Sequence, residues 1–144
     1  MRVYLDASVL VALLTSDALT ARAETYLRTT APVLVVSDFA CAEFASAIAR
    51  EVRTREITAQ EAWAAFAFLD TWIAETTERA ETTTADVRAA EALVRRLDLK
   101  LRTPDALHIA LHIALAQRTQ AALATFDGGM AAAARTLGMV LAAL

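Results

Sequence analysis

The chain has one cysteine, Cys41, in 144 residues. No internal disulfide can form, which is what a protein of the reducing cytoplasm is expected to show. Three glycines and two prolines leave little material for long loops or a disordered tail. The single lysine, Lys100, belongs to no Walker A sequence, and no G-x-G-x-x-G follows a strand. Both absences argue against phosphate-loop and dinucleotide chemistry. No uncharged run approaches the ~18 residues of a membrane span. The longest, Ala106 to Gln117, is broken by His108 and His112. Asp6 interrupts any apolar leader and no cleavage site follows, so no secretory signal is expected. Excess basic charge is missing too. At a net charge of −3, bulk electrostatics cannot hold nucleic acid, so such a role would need a local basic edge or bound cations.

What is present is apolar. The hydrophobic fraction is 57%, enough for one domain over residues 1–144 with a substantial core. Short apolar strands are expected at 2–5, 33–36, 121–126 and 139–141, each followed or preceded by a helical stretch. Ser8 is a candidate cap for the first helix, and Ser16 or Asp17 for a second that Pro32 stops. Ser37 and Asp38 start a third helix, with Cys41, Phe44, Ala45, Ile48 and Val52 on one stripe and Glu43 on another face. Thr58-Ala-Gln-Glu61 is a capping box for a fourth helix carrying Trp63, Phe66, Leu69, Trp72 and Ile73. Residues 38–77 therefore read as a helical hairpin with an apolar ridge. Residues 75–86 are polar and expected as a loop. The next helix should turn Val87, Ala90, Val94 and Leu97 inward. Leu99 to Arg102 is a short connection. Thr103-Pro104-Asp105 is a cap, a proline and a first-turn acid at the head of a helix that is apolar nearly all round, hence central. Gly128 and Gly129 turn the chain into a last helix, which Gly138 caps. Strands alternating with helices imply an α/β fold with a parallel sheet of four to five short strands between two helical layers.

Four acids stand in apolar settings. Asp6 follows a core strand and precedes a core helix. Asp127 follows another strand, Asp105 opens the buried helix, and Glu43 lies one turn into the third. Singly, Asp105 is explained by the helix dipole, Asp127 by a turn, and Glu43 by exposure. Jointly, these ends can share one edge of the sheet, where ligands bind in open α/β folds. Clustered carboxylates repel unless a cation compensates them. A hard ion such as Mg²⁺ or Mn²⁺ suits oxygen ligands and phosphodiester hydrolysis.

Four segments carry a family resemblance: Tyr4-Leu-Asp6-Ala-Ser8-Val-Leu, Ser37-Asp-Phe-Ala-Cys-Ala-Glu43-Phe, Arg102-Thr-Pro-Asp105-Ala-Leu-His-Ile-Ala and Ala124-Thr125-Phe-Asp127. In order and spacing the chain resembles the PIN-domain ribonucleases, and among them the VapC-type toxins of bacterial toxin–antitoxin pairs. The resemblance implies a three-layer α/β/α domain and a metal-dependent endoribonuclease that a cognate antitoxin holds inactive. It implies Asp6 and Asp105 as metal ligands, with Glu43 and Asp127 completing the acidic site. Ser8 and Thr125 match positions whose hydroxyls support that site. A homodimer is also implied, and the apolar ridge points the same way.

For RNA contact the candidates are Arg50, Arg53 and Arg102. His108 and His112 stand i, i+4, but zincin chemistry needs a glutamate after the first histidine, where Ile109 stands; they are expected as hydrogen-bonded residues near the core. Acids near Cys41 would raise its thiol pKa and disfavour a nucleophile. A phosphatase with an aspartyl nucleophile would need an acid where Ser8 stands. The competing hypothesis is a non-catalytic module that binds a partner through the hairpin 38–77.

Overall fold

A computed structural model describes residues 1–144. The chain opens with β1 (Arg2–Leu5), α1 (Ala7–Leu14), α2 (Thr20–Thr30) and β2 (Val33–Ser37). It continues with α3 (Asp38–Arg53), α4 (Ala59–Thr76), β3 (Thr77–Ala80) and α5 (Thr84–Val94). A 3₁₀ turn (Leu97–Leu99), α6 (Thr103–Ala116), β4 (Ala121–Ala124) and α7 (Gly128–Thr136) complete it. The sheet order is β3-β2-β1-β4, and every pairing is parallel.

Strand alternation divides the apolar residues between two cores. Val3, Leu5, Leu34, Val36, Ala122 and Ala124 face Val9, Leu10, Tyr26, Phe44, Ile48, Leu69 and Ile73. Tyr4, Val35 and Leu123 face the other way, against Ala90, Leu107, Ile109, Leu111, Met130 and Ala134. Helices cover both faces, so the architecture is the expected three-layer α/β/α. Helix α6 is as central as its composition implies: Ala106 to His112 are all buried.

Several expectations are corrected. The polar stretch after α4 is an edge strand, β3, rather than a loop. Its sequence, Thr-Glu-Arg-Ala, carries no apolar signal because it is half exposed. Its charges pair sideways instead, Glu78 with Arg2 at 2.7 Å and Arg79 with Asp38. Charged side chains on an exposed edge also deter strand addition. At the other edge no fifth strand forms at 139–141: Leu123 and Leu141 make one isolated bridge.

Helix α5 starts earlier than expected, through a second capping box, Thr83 with Asp86. Ala90 is buried, but Val87 is 52% and Leu97 85% exposed. Leu97 lies in the 3₁₀ turn, where the helical phase no longer applies. Arg102, not Thr103, precedes the first turn of α6, and it makes no side-chain cap. Thr58 and Glu61 form the expected capping box. On α4, Leu69 and Ile73 enter the core, while Trp63 remains 71% exposed.

Candidate active site

All four strands run the same way, so their carboxyl ends share one edge. Asp6 follows Leu5 there, Ser37 ends β2, and Thr125 follows β4. Asp6 is the N-cap of α1: its Oδ1 accepts from the Val9 amide at 3.1 Å. Ser8, expected as the cap, instead donates its hydroxyl to the same oxygen at 2.6 Å and accepts from the Phe126 amide at 2.9 Å. Thr125 donates to Asp6 Oδ2 at 2.5 Å and accepts from the Asp127 amide at 2.9 Å. Both hydroxyls singled out in the sequence thus bind Asp6. They also tie the loop after β4 to the end of β1.

Asp6 is only 2% exposed. Burial raises its pKa above the ordinary value, against the pull of Ser8, Thr125, His108 and the Val9 amide. These hydrogen bonds are what a buried carboxylate needs to remain inside the fold.

The other three acids each have a partner of their own. Asp105, in the first turn of α6, accepts from Arg102 Nε at 3.1 Å and Nη2 at 3.4 Å. Asp127 caps α7 through Oδ1, which accepts from the Met130 amide at 2.7 Å; its Oδ2 is 4.0 Å from Arg102. Glycine at 129 serves this cap, because a Cβ there would stand 3.2 Å from Asp127 Oδ1. Glu43 Oε2 meets His108 Nε2 at 2.5 Å. Arg102 feels the charges of Asp105, Asp127 and Glu43 together. A guanidinium therefore already sits where these acids call for positive charge.

The donor set is carboxylate and hydroxyl oxygen, suited to a hard cation. No three His, Cys, Asp or Glu side chains stand close enough together to hold a metal ion by themselves, so an ion bound here would take most of its ligands from water and substrate. His112 touches no acid; its Nε2 donates to the Ala121 carbonyl at 3.3 Å.

Beside the acids lies a cleft of about 500 Å³ lined by Ser8, Glu43, Ala47, Arg50, Arg53, Asp17 and Glu51 among others. Arg50 and Arg53, one turn apart near the end of α3, supply its basic wall. Asp17 and Glu51 were not anticipated there, since nothing in their local pattern departs from surface acids. Cys41 is set apart, and burial first, then Asp38, pushes its thiol up against the pull of Arg79. Tyr4 and Ser37 carry polar groups into this edge as well. The only sequence signal for them was a hydroxyl inside an apolar strand.

The family model of the PIN domain matches residues 3–136. No curated protein matches the chain in sequence. Among solved structures, one similar to it is the sarcin–ricin-loop-cleaving toxin VapC20 of Mycobacterium tuberculosis. The TM-score is 0.69 at 23% identity, over 96% of each chain. Another is VapBC2 of Rickettsia felis bound to a promoter DNA fragment, with a TM-score of 0.65 at 16% identity, over 98% of this chain and 97% of that one. At these identities the likeness is one of fold.

Proposed function

Because the chain belongs to the PIN-domain family, we propose that it is a metal-dependent endoribonuclease, the toxin of a toxin–antitoxin pair, working as a single domain. The observation that carries this reading is Asp6. It is a buried carboxylate at the end of β1, held by two hydroxyls and the Val9 amide. Asp6 and Asp105 would hold Mg²⁺ or Mn²⁺, with Glu43 and Asp127 completing the site. Such an ion supplies polarisation of the phosphate and activation of the attacking water.

The chain's own residues do the rest. Ser8 and Thr125 keep Asp6 oriented with both oxygens engaged. Arg102, 76% exposed at its side chain, is free to swing from Asp105 to a phosphate. Arg50 and Arg53 line the adjoining cleft beside Asp17, Glu43 and Glu51 and would hold the RNA backbone. The substrate class is structured RNA, as for the toxin of similar fold.

The exposed side of the hairpin 38–77, with Trp63 edge-on to Phe66 at 5.7 Å and Phe68 half exposed, is the surface proposed for the homodimer and the antitoxin. No helix is long and apolar enough to cross a membrane.

The test is cleavage of a structured-RNA panel by purified protein, in Mn²⁺ or in EDTA, beside Asp6→Asn. Metal-dependent cutting that the variant loses supports the reading. A folded Asp6→Asn protein that cuts as well as the wild type refutes it. If neither protein cuts and neither is stabilised by Mn²⁺, the chain is a binding module acting through its hairpin.

A further inference from the structure

A line of buried hydrogen bonds runs from the core to Glu43. Ser37 ends β2 and caps α3, its Oγ accepting from the Ala40 amide at 3.0 Å. The Tyr4 hydroxyl lies 2.8 Å from Ser37 Oγ and 2.9 Å from His108 Nδ1. His108 Nε2 then meets Glu43 Oε2 at 2.5 Å. Tyr4, Ser37 and His108 are at most 1% exposed. Two rings fix the imidazole: Phe39 at 5.0 Å and Tyr4, edge-on, at 5.8 Å.

The direction of these bonds follows from counting protons. Each hydroxyl has one hydrogen, and a neutral imidazole has one N–H. Ser37 already accepts from Ala40, so its hydrogen is free to go to Tyr4. Tyr4 donates to Nδ1, and Nε2–H donates to the Glu43 carboxylate. Every buried atom then has a partner of the right kind. With the bonds reversed, the serine hydrogen would have no acceptor, and a neutral ring would turn a bare Nε2 toward a carboxylate. Burial also raises the Tyr4 hydroxyl far above its ordinary range, so it remains a donor.

We propose that His108, buried between Tyr4 and Phe39 and donating Nε2–H to Glu43, is a positioning residue that fixes the Glu43 carboxylate at the acidic site. The inference rests on the reading that Glu43 serves a metal there. Glu43 reaches the site along a flexible side chain from the middle of α3. One oxygen pinned to His108 leaves the other to face the cleft. His112 provides the contrast. It is equally buried on the same helix, yet its Nδ1 has no partner and it touches no acid.

Three readouts test this on the full chain: ¹⁵N NMR of the histidine rings without metal, Mn²⁺ titration by calorimetry, and RNA cleavage resolved into kcat and KM. The wild-type His108 should show a protonated Nε2. His108→Ala should lose about 10- to 100-fold in Mn²⁺ affinity and kcat, the scale of outer-sphere orienting partners, with KM for RNA unchanged. His108→Gln, whose amide N–H can still reach Glu43, should recover part of that loss. Tyr4→Phe should fall between, because the ring can then take either tautomer. It also carries the test if His108→Ala does not fold. His112→Leu should leave Mn²⁺ affinity unchanged even where it melts earlier. The proposal is overturned by an Nε2 without a proton in the wild type. A folded His108→Ala protein with wild-type affinity and kcat overturns it too, as does equal damage from His112→Leu. A wild type that neither binds Mn²⁺ nor cuts RNA defeats the site itself, which separates that failure from failure of the relay alone.

Discussion

Replacing Thr125 by valine keeps the shape of the side chain and removes its hydroxyl. Two bonds go: the 2.5 Å donation to Asp6 Oδ2 and the 2.9 Å acceptance from the Asp127 amide. A hydrogen bond to a charged group contributes roughly 1.5–3 kcal/mol, and a neutral one about 1. The Asp127 amide lies nearer solvent and water can replace its partner, so the expected loss is about 2–3 kcal/mol. For a chain of this size that lowers Tm by about 5–10 °C. Thr125→Ser keeps the hydroxyl and should lose under about 1 kcal/mol.

The loss should also depend on pH, with a definite sign. Burial already holds the Asp6 pKa above its ordinary 3.8, and Thr125 is one of the groups pulling it back. A folded-state pKa raised above the unfolded one means stability falls as pH rises through the interval between them, and the cost vanishes below both. Without Thr125 the folded value rises further. The deficit should therefore be full at neutral pH and shrink on acidification toward 3.8. In the Asp6→Asn background the bond is neutral, so Thr125→Val should cost about 1 kcal/mol less there. Thermal melts in EDTA across a pH series, for the four proteins of this cycle, measure each quantity. A pH-independent deficit, or costs that add within about 0.5 kcal/mol, would refute the coupling of Thr125 to an ionised Asp6.

Three other outcomes are expected. Arg102→Ala should bind Mn²⁺ more tightly and RNA more weakly, because the guanidinium competes with a metal for Asp105; unchanged or weaker Mn²⁺ binding by calorimetry would contradict this. Arg50→Glu with Arg53→Glu should raise KM for RNA, spare kcat, and flatten the salt dependence by about one unit of slope per lost phosphate contact; an unaltered slope would remove these arginines from the RNA path. Trp63→Ser should leave thermal stability within about 0.5 kcal/mol, as for a surface change, but lower the mass measured by light scattering. An unaltered mass would separate the hairpin from self-association.

How much of this was legible in the sequence depends on whether a residue's role is local. Caps and central burial are local properties. Thr58 with Glu61, Ser37 at the head of α3 and the apolar α6 all stand where periodicity and capping rules put them. The positions of Asp6, Asp105 and Asp127 follow for a related reason: each follows a strand or opens a helix, and parallel topology brings strand ends to one edge, whereas Glu43 lies inside α3 and no such rule places it. Edge strands escape such rules because water satisfies half their needs, so β3 reads as a loop until Glu78 and Arg79 find partners across the sheet.

Partner identity is harder still. Tyr4 lies 33 residues from Ser37 and 104 from His108, and His108 lies 65 from Glu43. The apolar strand and helix around them class Tyr4 and His108 as core, and by exposure they are core. What distinguishes His108 from His112 is not its burial but the acid that α3 brings to it. That depends on how α3 and α6 pack at the sheet edge, which neither helix's periodicity encodes. A buried histidine on a central helix therefore cannot be assigned to structure or function from its own helix. The element opposite decides, and here it presents a carboxylate to His108 and only a backbone carbonyl to His112.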